Sequence, residues 1–284
     1  MAITGESVTF QGFGVVIEGD RWAAPDSRGE VLFLHGGGQT RHAWGAGAAR
    51  IAAAGWTCTS VDLRGHGDSG WAPDGAYDVG AYVNDIRAVC AELGGHVIVV
   101  GASLGGITAL TLAAETTSPI RALVLVDIAP RVEPAGVQRI MNFMTGHLGG
   151  FASLEEVGET VADYTGRART RNLEGLKKKN VRRHDDGRWY WHWDPAMMSP
   201  LAREEPRPGM SGDALLAAAR QVRVPVLLLK GSQSDVVSDA GVKEFVDAVP
   251  DVTVVVVQGA GHMVAGDDND MFVSSVADFL DTLL

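Results

Sequence analysis

A serine flanked by glycines at the end of an apolar run is the feature that most restricts the fold of this chain. The β-branched run Val97–Val100 leads into Gly101-Ala102-Ser103-Leu104-Gly105, and a helix-compatible segment, 107–114, follows. In this context Gly-x-Ser-x-Gly is typical of a sharp strand-to-helix turn that exposes the serine hydroxyl. The helix would direct its free N–H groups at an anion beside Ser103. The alternative is a glycine-rich βα turn of another α/β fold.

Buried-strand patterns alternate with helical patterns on both sides of this motif. Such alternation predicts a mostly parallel sheet with helices on both faces, the α/β class. The predicted strands are Ser7–Phe10, Val15–Glu18, Glu30–Leu34, Trp56–Val61, Val97–Val100, Ala122–Val126, Pro225–Leu229 and Val252–Val257.

The alternation stops in the second half of the chain. Between residues 128 and 224 no buried-strand run occurs, and helical patterns predominate. We interpret residues 130–224 as a mostly helical insertion. Residues 1–129 and 225–284 would then form one core domain.

Several polar residues follow the predicted strands directly. Because the carboxyl ends of parallel strands meet at one edge of a sheet, these residues are expected to lie near one another. They are His35, Asp62, Ser103, Asp127, Asp235 and His262.

A serine hydroxyl becomes a good nucleophile when a base accepts its proton and a carboxylate orients that base. His262 follows the last predicted strand on a glycine-supported loop, and we predict it to be the base. Asp235 is the preferred acid and Asp127 the alternative, since both follow a strand and satisfy the order Ser, Asp, His.

Attack on a carbonyl would also produce an oxyanion that needs two hydrogen-bond donors. The backbone N–H of Leu104, directly after the serine, is one predicted donor. Gly37 is the other, with Gly36 and Gly38 as alternatives, because bare backbone in His35-Gly36-Gly37-Gly38 can approach a ligand closely. His35 is interpreted as a residue that orders this loop.

The segment Asp62–Ser69 alternates acidic and basic residues, but Arg64 lies between its candidate metal ligands. We interpret the segment as a structural turn held by Asp–Arg pairs, and we expect no metal. No Gly-x-Gly-x-x-Gly follows the first buried strand, so no dinucleotide cofactor is expected.

Charge and cysteine usage restrict the partners of this 284-residue chain. The formal charge of −11 argues against nucleic acid and anionic membranes. Cys58 and Cys90 read as reduced core residues, no secretory signal is recognised, and no long apolar span occurs. We therefore expect a cytoplasmic protein that acts on a small molecule, and a homodimer is compatible with the sequence.

Together, the glycine loop after His35, the segment Asp62–Ser69, the serine motif, Asp235 and Gly261-His262 resemble the α/β-hydrolase superfamily. The resemblance is to capped microbial esterases and carbon–carbon bond hydrolases. It implies an eight-stranded sheet, a helical cap inserted after the sixth strand, and a Ser-His-Asp triad. Epoxide hydrolases and dehalogenases of this superfamily carry Asp at the position of this serine, in the turn between strand and helix. Ser103 therefore argues against both activities. Some relatives take the acid from the strand before the cap, which keeps Asp127 open.

The cap would form the substrate pocket above Ser103. Its aromatic stretch Trp189–Trp193 suggests an apolar pocket, together with Met141, Phe143, Met144, Met197 and Met198. These side chains could equally pack the cap onto the core. The basic patch Lys177–Arg183 is interpreted as a solvated helix face. The predicted pocket residues are His35, Gly36, Gly38, Met144, Trp189, Trp191 and Met263.

These features predict a serine hydrolase that cleaves a small, fairly apolar carboxylic ester through an acyl-enzyme. Hydrolysis of a carbon–carbon bond in a vinylogous diketone, or of an amide or lactone, is the alternative, with perhydrolysis as a variant. Arg131, Arg139 or Arg188 near Ser103 would favour the carbon–carbon reaction. A ligand-binding protein on a hydrolase scaffold is the alternative of another class.

Overall fold

Eight strands form one sheet in the computed structural model, which describes residues 3–166, 168–198, 209–262 and 270–284. The strands of the chain are β1 (Glu6–Gln11), β2 (Val16–Trp22), β3 (Glu30–Leu34), β4 (Thr57–Val61), β5 (Val97–Ala102), β6 (Ile120–Val126), β7 (Val181–Arg183), β8 (Trp189–Trp191), β9 (Val226–Gly231) and β10 (Val252–Val257). The large sheet has the order β1-β2-β4-β3-β5-β6-β9-β10. Strands β1 and β2 are antiparallel to their neighbours, and the remaining pairs are parallel.

Apolar side chains cover both faces of the central strands. In β3, Val31 and Phe33 face one core cluster, whereas Leu32 and Leu34 face the other. Continuous apolar runs are expected where helices cover a parallel sheet on both sides. The helices of the core are α1 (Gly45–Ala53), α2 (Val79–Glu92), α3 (Leu104–Ala113), α8 (Asp239–Ala248) and α9 (Asp270–Asp281). Helices α1 and α9 pack on the face of the sheet that carries Val31 and Phe33. Helices α2, α3 and α8 pack on the face that carries Leu32 and Leu34.

The insertion between β6 and β9 lies outside the large sheet. Its helices are α4 (Pro134–Thr145), α5 (Leu154–Thr165), α6 (Leu173–Asn180) and α7 (Gly212–Ala219), with short 3-10 turns elsewhere. The sequence predicts no strand here, but β7 and β8 form a two-stranded hairpin. Trp and Tyr favour extended backbone, and Gly187 has a φ of 82° that suits the connecting turn.

The predicted fold class is confirmed. The sheet has eight strands and is mostly parallel, and the insertion follows the sixth strand, as the resemblance implies. The boundaries of a core of residues 1–129 and 225–284 and a cap of residues 130–224 stay a prediction. Within the described ranges, no helix has the length and apolar character needed to cross a bilayer.

The serine turn tolerates no side chain at Gly105, and this can be tested by stability. A Cβ there would collide with the backbone of Leu34 in β3, which cannot move without disturbing the sheet. We expect Gly105→Ala to lower the free energy of unfolding by about 3 kcal/mol, as overpacking does. Gly149→Ala is the matched control, because a Cβ at Gly149 meets nothing within 4 Å. Urea unfolding followed by circular dichroism measures both, and equal stabilities would contradict this account.

Candidate active site

Ser103 lies at a strained turn between β5 and α3. Its backbone has a φ of 45° and a ψ of −113°, values that non-glycine residues rarely adopt. A Cβ at Gly101 would lie 2.6 Å from the carbonyl oxygen of Gly105, so the chain can fold back this tightly only with glycine. Strain of this kind is concentrated at functional sites, where the surrounding structure maintains it.

His262 contacts a carboxylate at the end of β6. Its Nδ1 lies 2.8 Å from Oδ2 of Asp127, and the two side chains are 7% and 0% exposed. Asp127 also accepts the N–H of Gly231 at 2.8 Å and the hydroxyl of Ser234 at 2.6 Å. These donors hold the carboxylate in one orientation, so His262 donates from Nδ1 and keeps Nε2 as an acceptor.

Asp235, the acid preferred from the sequence, occupies a different place. Its carboxylate pairs with the guanidinium of Arg139 in α4, at 2.6 Å and 2.8 Å, and its side chain is 43% exposed. The hydrogen bonds from Arg139 lower the pKa of Asp235. The preceding residue, Ser234, points inward to Asp127, which leaves Asp235 facing the cap. In this structure the carboxylate that contacts His262 is that of Asp127, the alternative acid, and not that of Asp235.

The position of β6 explains why Asp127 reaches His262. This strand lies between β5, which ends at Ala102 directly before Ser103, and β9. The sequence shows that both aspartates follow strands, but it does not show which strand lies next to the serine. The relevant signal is that the insertion, from residue 130, begins soon after Asp127.

The glycine loop after β3 lies beside Ser103. A Cβ at Gly36 would be 3.3 Å from the Cβ of Ser103. The N–H of Gly36 donates to Oε1 of Gln39 at 2.9 Å, and the N–H of Gly38 donates to Nε2 of His66 at 3.2 Å. No hydrogen bond within the described residues uses the N–H of Gly37. Of the three glycine N–H groups considered from the sequence, this one is left for a ligand.

The second predicted donor is at the start of α3. Leu104 is the first residue of this helix, and the N–H groups of a first turn have no partner within the helix. The positive end of the helix dipole adds to the attraction for an anion at Ser103.

A cavity of about 90 Å³ connects these groups. Its lining consists of Gly36, Gly37, Gly38, Gln39, Ala102, Ser103, Val126, Ile140, Phe143, Val161, Tyr164, Thr165, Asn180 and His262. Ser103, His262 and the glycine loop therefore face one space, and α4 and α5 supply most of its apolar wall.

Several predicted pocket residues lie elsewhere. His35 is fully buried, and its Nδ1 is 2.8 Å from the carbonyl oxygen of Gly36. Met144 packs against the loop, since a Cβ at Gly37 would be 3.4 Å from its sulfur. Trp191 stacks on Trp193 in an aromatic cluster, with ring centroids 4.7 Å apart.

The other four predicted pocket residues divide between the cavity, a second cleft and the undescribed segments. Gly36 and Gly38 line the cavity. Trp189 borders a separate cleft on the other side of the hairpin, and Met263 lies outside the described residues.

Of the helical residues in the wall, the sequence pointed only to Phe143 as a pocket residue, whereas Ile140, Val161 and Tyr164 were not predicted. Ile140 and Phe143 are three positions apart in α4, and Val161 and Tyr164 are three apart in α5, so each pair shares a helix face. This spacing was visible in the sequence, but only the fold shows that these faces point at Ser103.

The cationic side chains proposed for a carbon–carbon hydrolase are all engaged with other groups of the protein, and Arg139 also lies over the ring of Tyr164 in the cavity wall. Arg131 pairs with Asp213 and Glu244. Arg188 donates to the carbonyl oxygens of Gly149 and Gly150. Arg139 pairs with Asp235, as described above. Within the described part of the chain, the cavity wall contains no lysine or arginine.

The turn after β4 is held by ion pairs. Asp62 pairs with Arg41, Arg41 also contacts Asp68 at 2.9 Å, and Arg64 contacts Asp85 at 2.6 Å. No group of three or more potential metal ligands is found in the ranges that the structure describes. In the basic patch Lys177–Arg183, Arg182 pairs with Asp68 across the boundary between insertion and core.

Known proteins with the same architecture support this description. The family model for the alpha/beta hydrolase fold matches residues 30–268. The chain is 32% identical over 274 residues to Esterase Rv0045c of Mycobacterium tuberculosis, covering 92% of this chain and 85% of that protein. It is 31% identical over 211 residues to a 3-hydroxybutyrate-oligomer hydrolase of Cupriavidus necator, covering 71% of each.

A solved structure shows the same fold. The crystal structure of E-2-(acetamidomethylene)succinate hydrolase superposes with a TM-score of 0.82 at 24% identity, covering 98% of this chain and 99% of that one. The family model and these relatives identify the chain as a hydrolase. The chain belongs to the α/β-hydrolase fold family.

Substitution of the two aspartates should affect the rate of hydrolysis very differently. If Asp127 orients His262, Asp127→Asn should lower kcat about 1,000-fold or more, because an amide stabilises neither the required tautomer nor the imidazolium. The matched variant Asp235→Asn removes the negative charge that pairs with Arg139 and should change kcat less than about threefold. Steady-state ester hydrolysis measures both. A large loss confined to Asp235→Asn would contradict the assignment.

Proposed function

We propose that this protein is a serine hydrolase that cleaves small, uncharged carboxylic esters through an acyl-enzyme. Ser103 is the nucleophile, His262 the general base, and Asp127 the carboxylate that orients it. The observation that carries the proposal is the shared cavity: Ser103 at its strained turn and His262, held by Asp127, line the same space.

The reaction begins with attack of Ser103 Oγ on the ester carbonyl carbon. The hydroxyl proton moves to Nε2 of His262, and Asp127 stabilises the imidazolium that results. The carbonyl oxygen becomes an oxyanion, which accepts hydrogen bonds from the N–H groups of Gly37 and Leu104. Loss of one such donor typically costs about 100–1,000-fold in rate.

Collapse of the tetrahedral intermediate breaks the bond to the alcohol oxygen. His262 returns its proton to that oxygen, and the alcohol leaves an ester of Ser103. A water molecule then attacks the acyl carbon, with Nε2 of His262 accepting a water proton. The second tetrahedral intermediate releases a carboxylic acid, and the proton returns to Ser103 Oγ.

The cavity wall supports a small, uncharged acyl group. Ile140, Phe143 and Val161 supply apolar surface, and the space is about 90 Å³. A carboxylate on the acyl group would lose its hydration and would find no cationic partner in the described wall, at a cost of several kcal/mol. The chain's formal charge of −11 also disfavours an anionic substrate.

The lack of lysine and arginine in the described part of the wall also argues against the carbon–carbon reaction. A vinylogous diketone is acidic, and a site for its carbon–carbon cleavage would need cationic side chains that Arg131, Arg139 and Arg188 do not supply here. A purely ligand-binding role would leave the arrangement of Ser103, His262 and Asp127 without a purpose. The cytoplasmic location and a homodimer stay predictions.

A pair of esters that differ in charge tests the substrate class. We expect kcat/KM for p-nitrophenyl butyrate to exceed that for p-nitrophenyl hemisuccinate, which carries a terminal carboxylate, by at least about 100-fold, since each 1.4 kcal/mol is tenfold. Ser103→Ala should abolish turnover of both and is the control for uncatalysed release of nitrophenol. Equal turnover of the two esters, or activity that survives in Ser103→Ala, would contradict the proposal.

A further inference from the structure

His192 extends from the cap to the glycine loop of the core. It follows β8 directly and is 3% exposed. Its Nδ1 lies 2.9 Å from the backbone nitrogen of Gly67, and its Nε2 lies 3.3 Å from the carbonyl oxygen of Gly38. One imidazole thus connects the cap, the turn after β4 and the loop beside Ser103.

These contacts fix the protonation of the ring. Because Gly67 donates its N–H, Nδ1 of His192 must accept, and the ring proton lies on Nε2, where it faces the carbonyl group of Gly38. Burial lowers the pKa of His192 well below its usual value, and the neighbouring His66, His35 and Arg182 lower it further. The ring is therefore neutral near pH 7, as this pattern of one acceptor and one donor requires.

Both backbone polar groups of Gly38 are therefore hydrogen-bonded. Its N–H donates to Nε2 of His66 from the core, and its carbonyl oxygen accepts from His192 of the cap. The φ of Gly38 is 73°, so the loop changes direction at this glycine. On the other side of Gly37, both polar groups of Gly36 are bound, by Gln39 and by His35.

The N–H of Gln39 also donates to the carbonyl oxygen of Gly36 at 3.1 Å and closes a turn around Gly37. The Gly38 carbonyl that His192 contacts is in the same peptide unit as this Gln39 N–H, so the orientation of the Gly37 N–H depends on these flanking contacts. A peptide N–H stabilises an oxyanion because it is held in the right position before the reaction begins. A displacement of a few tenths of an ångström therefore removes much of this stabilisation. The contact from His192 is the part of this arrangement that the cap supplies.

We propose that His192 is a positioning residue of the oxyanion hole, which couples the seating of the cap to the orientation of the Gly37 N–H. The inference rests on the proposed acyl transfer at Ser103. It assigns the cap a second role besides forming the pocket wall: the donor set for the oxyanion is complete only when the cap hairpin is docked on the core.

Two substitutions separate the contacts of the ring. In His192→Asn the side-chain oxygen can occupy the place of Nδ1 and accept from Gly67, but nothing reaches Gly38. In His192→Gln the amide nitrogen can occupy the place of Nε2 and donate to Gly38. We expect kcat for p-nitrophenyl butyrate to fall roughly 10- to 100-fold in the Asn variant and less than about fivefold in the Gln variant, with KM within about threefold in both.

The inhibition constant of a transition-state analogue would not change if His192 only stabilised the fold. An alkyl trifluoromethyl ketone adds to an activated serine and places an oxyanion in the hole. Its inhibition constant should rise in the Asn variant by the same factor by which kcat/KM falls, because both depend on the same donors. The inhibition constant for the Gln variant should stay close to the wild-type value.

The cap hairpin offers a matched control. His184 lies in the turn between β7 and β8, is exposed, and contacts the ring of Tyr190 at a tilt, with ring centroids 4.3 Å apart. His184→Asn should leave kcat and the inhibition constant unchanged. Thermal melting of each variant checks the fold, and if His192→Asn does not fold, His192→Leu replaces it, since leucine also lacks a donor for Gly38.

The outcomes are distinct. Equal kcat in wild type, Asn and Gln variants would overturn the inference, and so would a Gln variant as slow as the Asn variant. A loss that appears as a higher KM with an unchanged inhibition constant would also overturn it. By contrast, full activity in Ser103→Ala would overturn the proposed function itself, whatever the His192 variants do.

Discussion

The buried carboxylate of Asp127 is the group on which the arrangement of the site depends. It accepts hydrogen bonds from His262 after β10, from Gly231 at the end of β9 and from Ser234 in the loop after β9. A carboxylate with no exposed surface is tolerated only when such donors replace water. The same bonds that satisfy the charge therefore bring the ends of three strands together beside Ser103.

Neutral imidazoles perform the corresponding task on the other side of the serine. His35 and His66 hold backbone groups of the glycine loop and of the turn after β4, and His192 adds the contact from the cap. Burial lowers the pKa of His35 to about 4, so it accepts the N–H of Leu63 across the neutral range. Backbone donors for an anion can thus be arranged without placing a fixed cation in the cavity.

The core of this fold could be predicted from the sequence because its signals are local. Buried strands such as Glu30–Leu34 are continuous apolar runs, and the serine turn requires glycines that are visible as a motif. The choice between Asp127 and Asp235 could not be predicted in this way. Both follow strands, and only the order of strands in the sheet, together with the direction of each side chain, separates them.

The cap was the least predictable part for a similar reason. Its hairpin is only three residues long on each side, too short for an alternating pattern to stand out. For the tryptophans of β8, lining the pocket and packing the cap were equal alternatives. Trp191 packs within the cap, and helix faces of α4 and α5 form the wall. His192, between two tryptophans, gave no sign of its contact with Gly38 because that contact spans 154 residues.

The most direct test of the central claim is whether Ser103 is an activated nucleophile that depends on His262. Purified protein would be treated with a fluorophosphonate, and the adduct would be followed by intact mass and located by peptide mapping. This account predicts a single adduct on Ser103 in the wild-type protein and none in His262→Ala over the same period. An adduct on another residue, or equally fast labelling of Ser103 in His262→Ala, would contradict it.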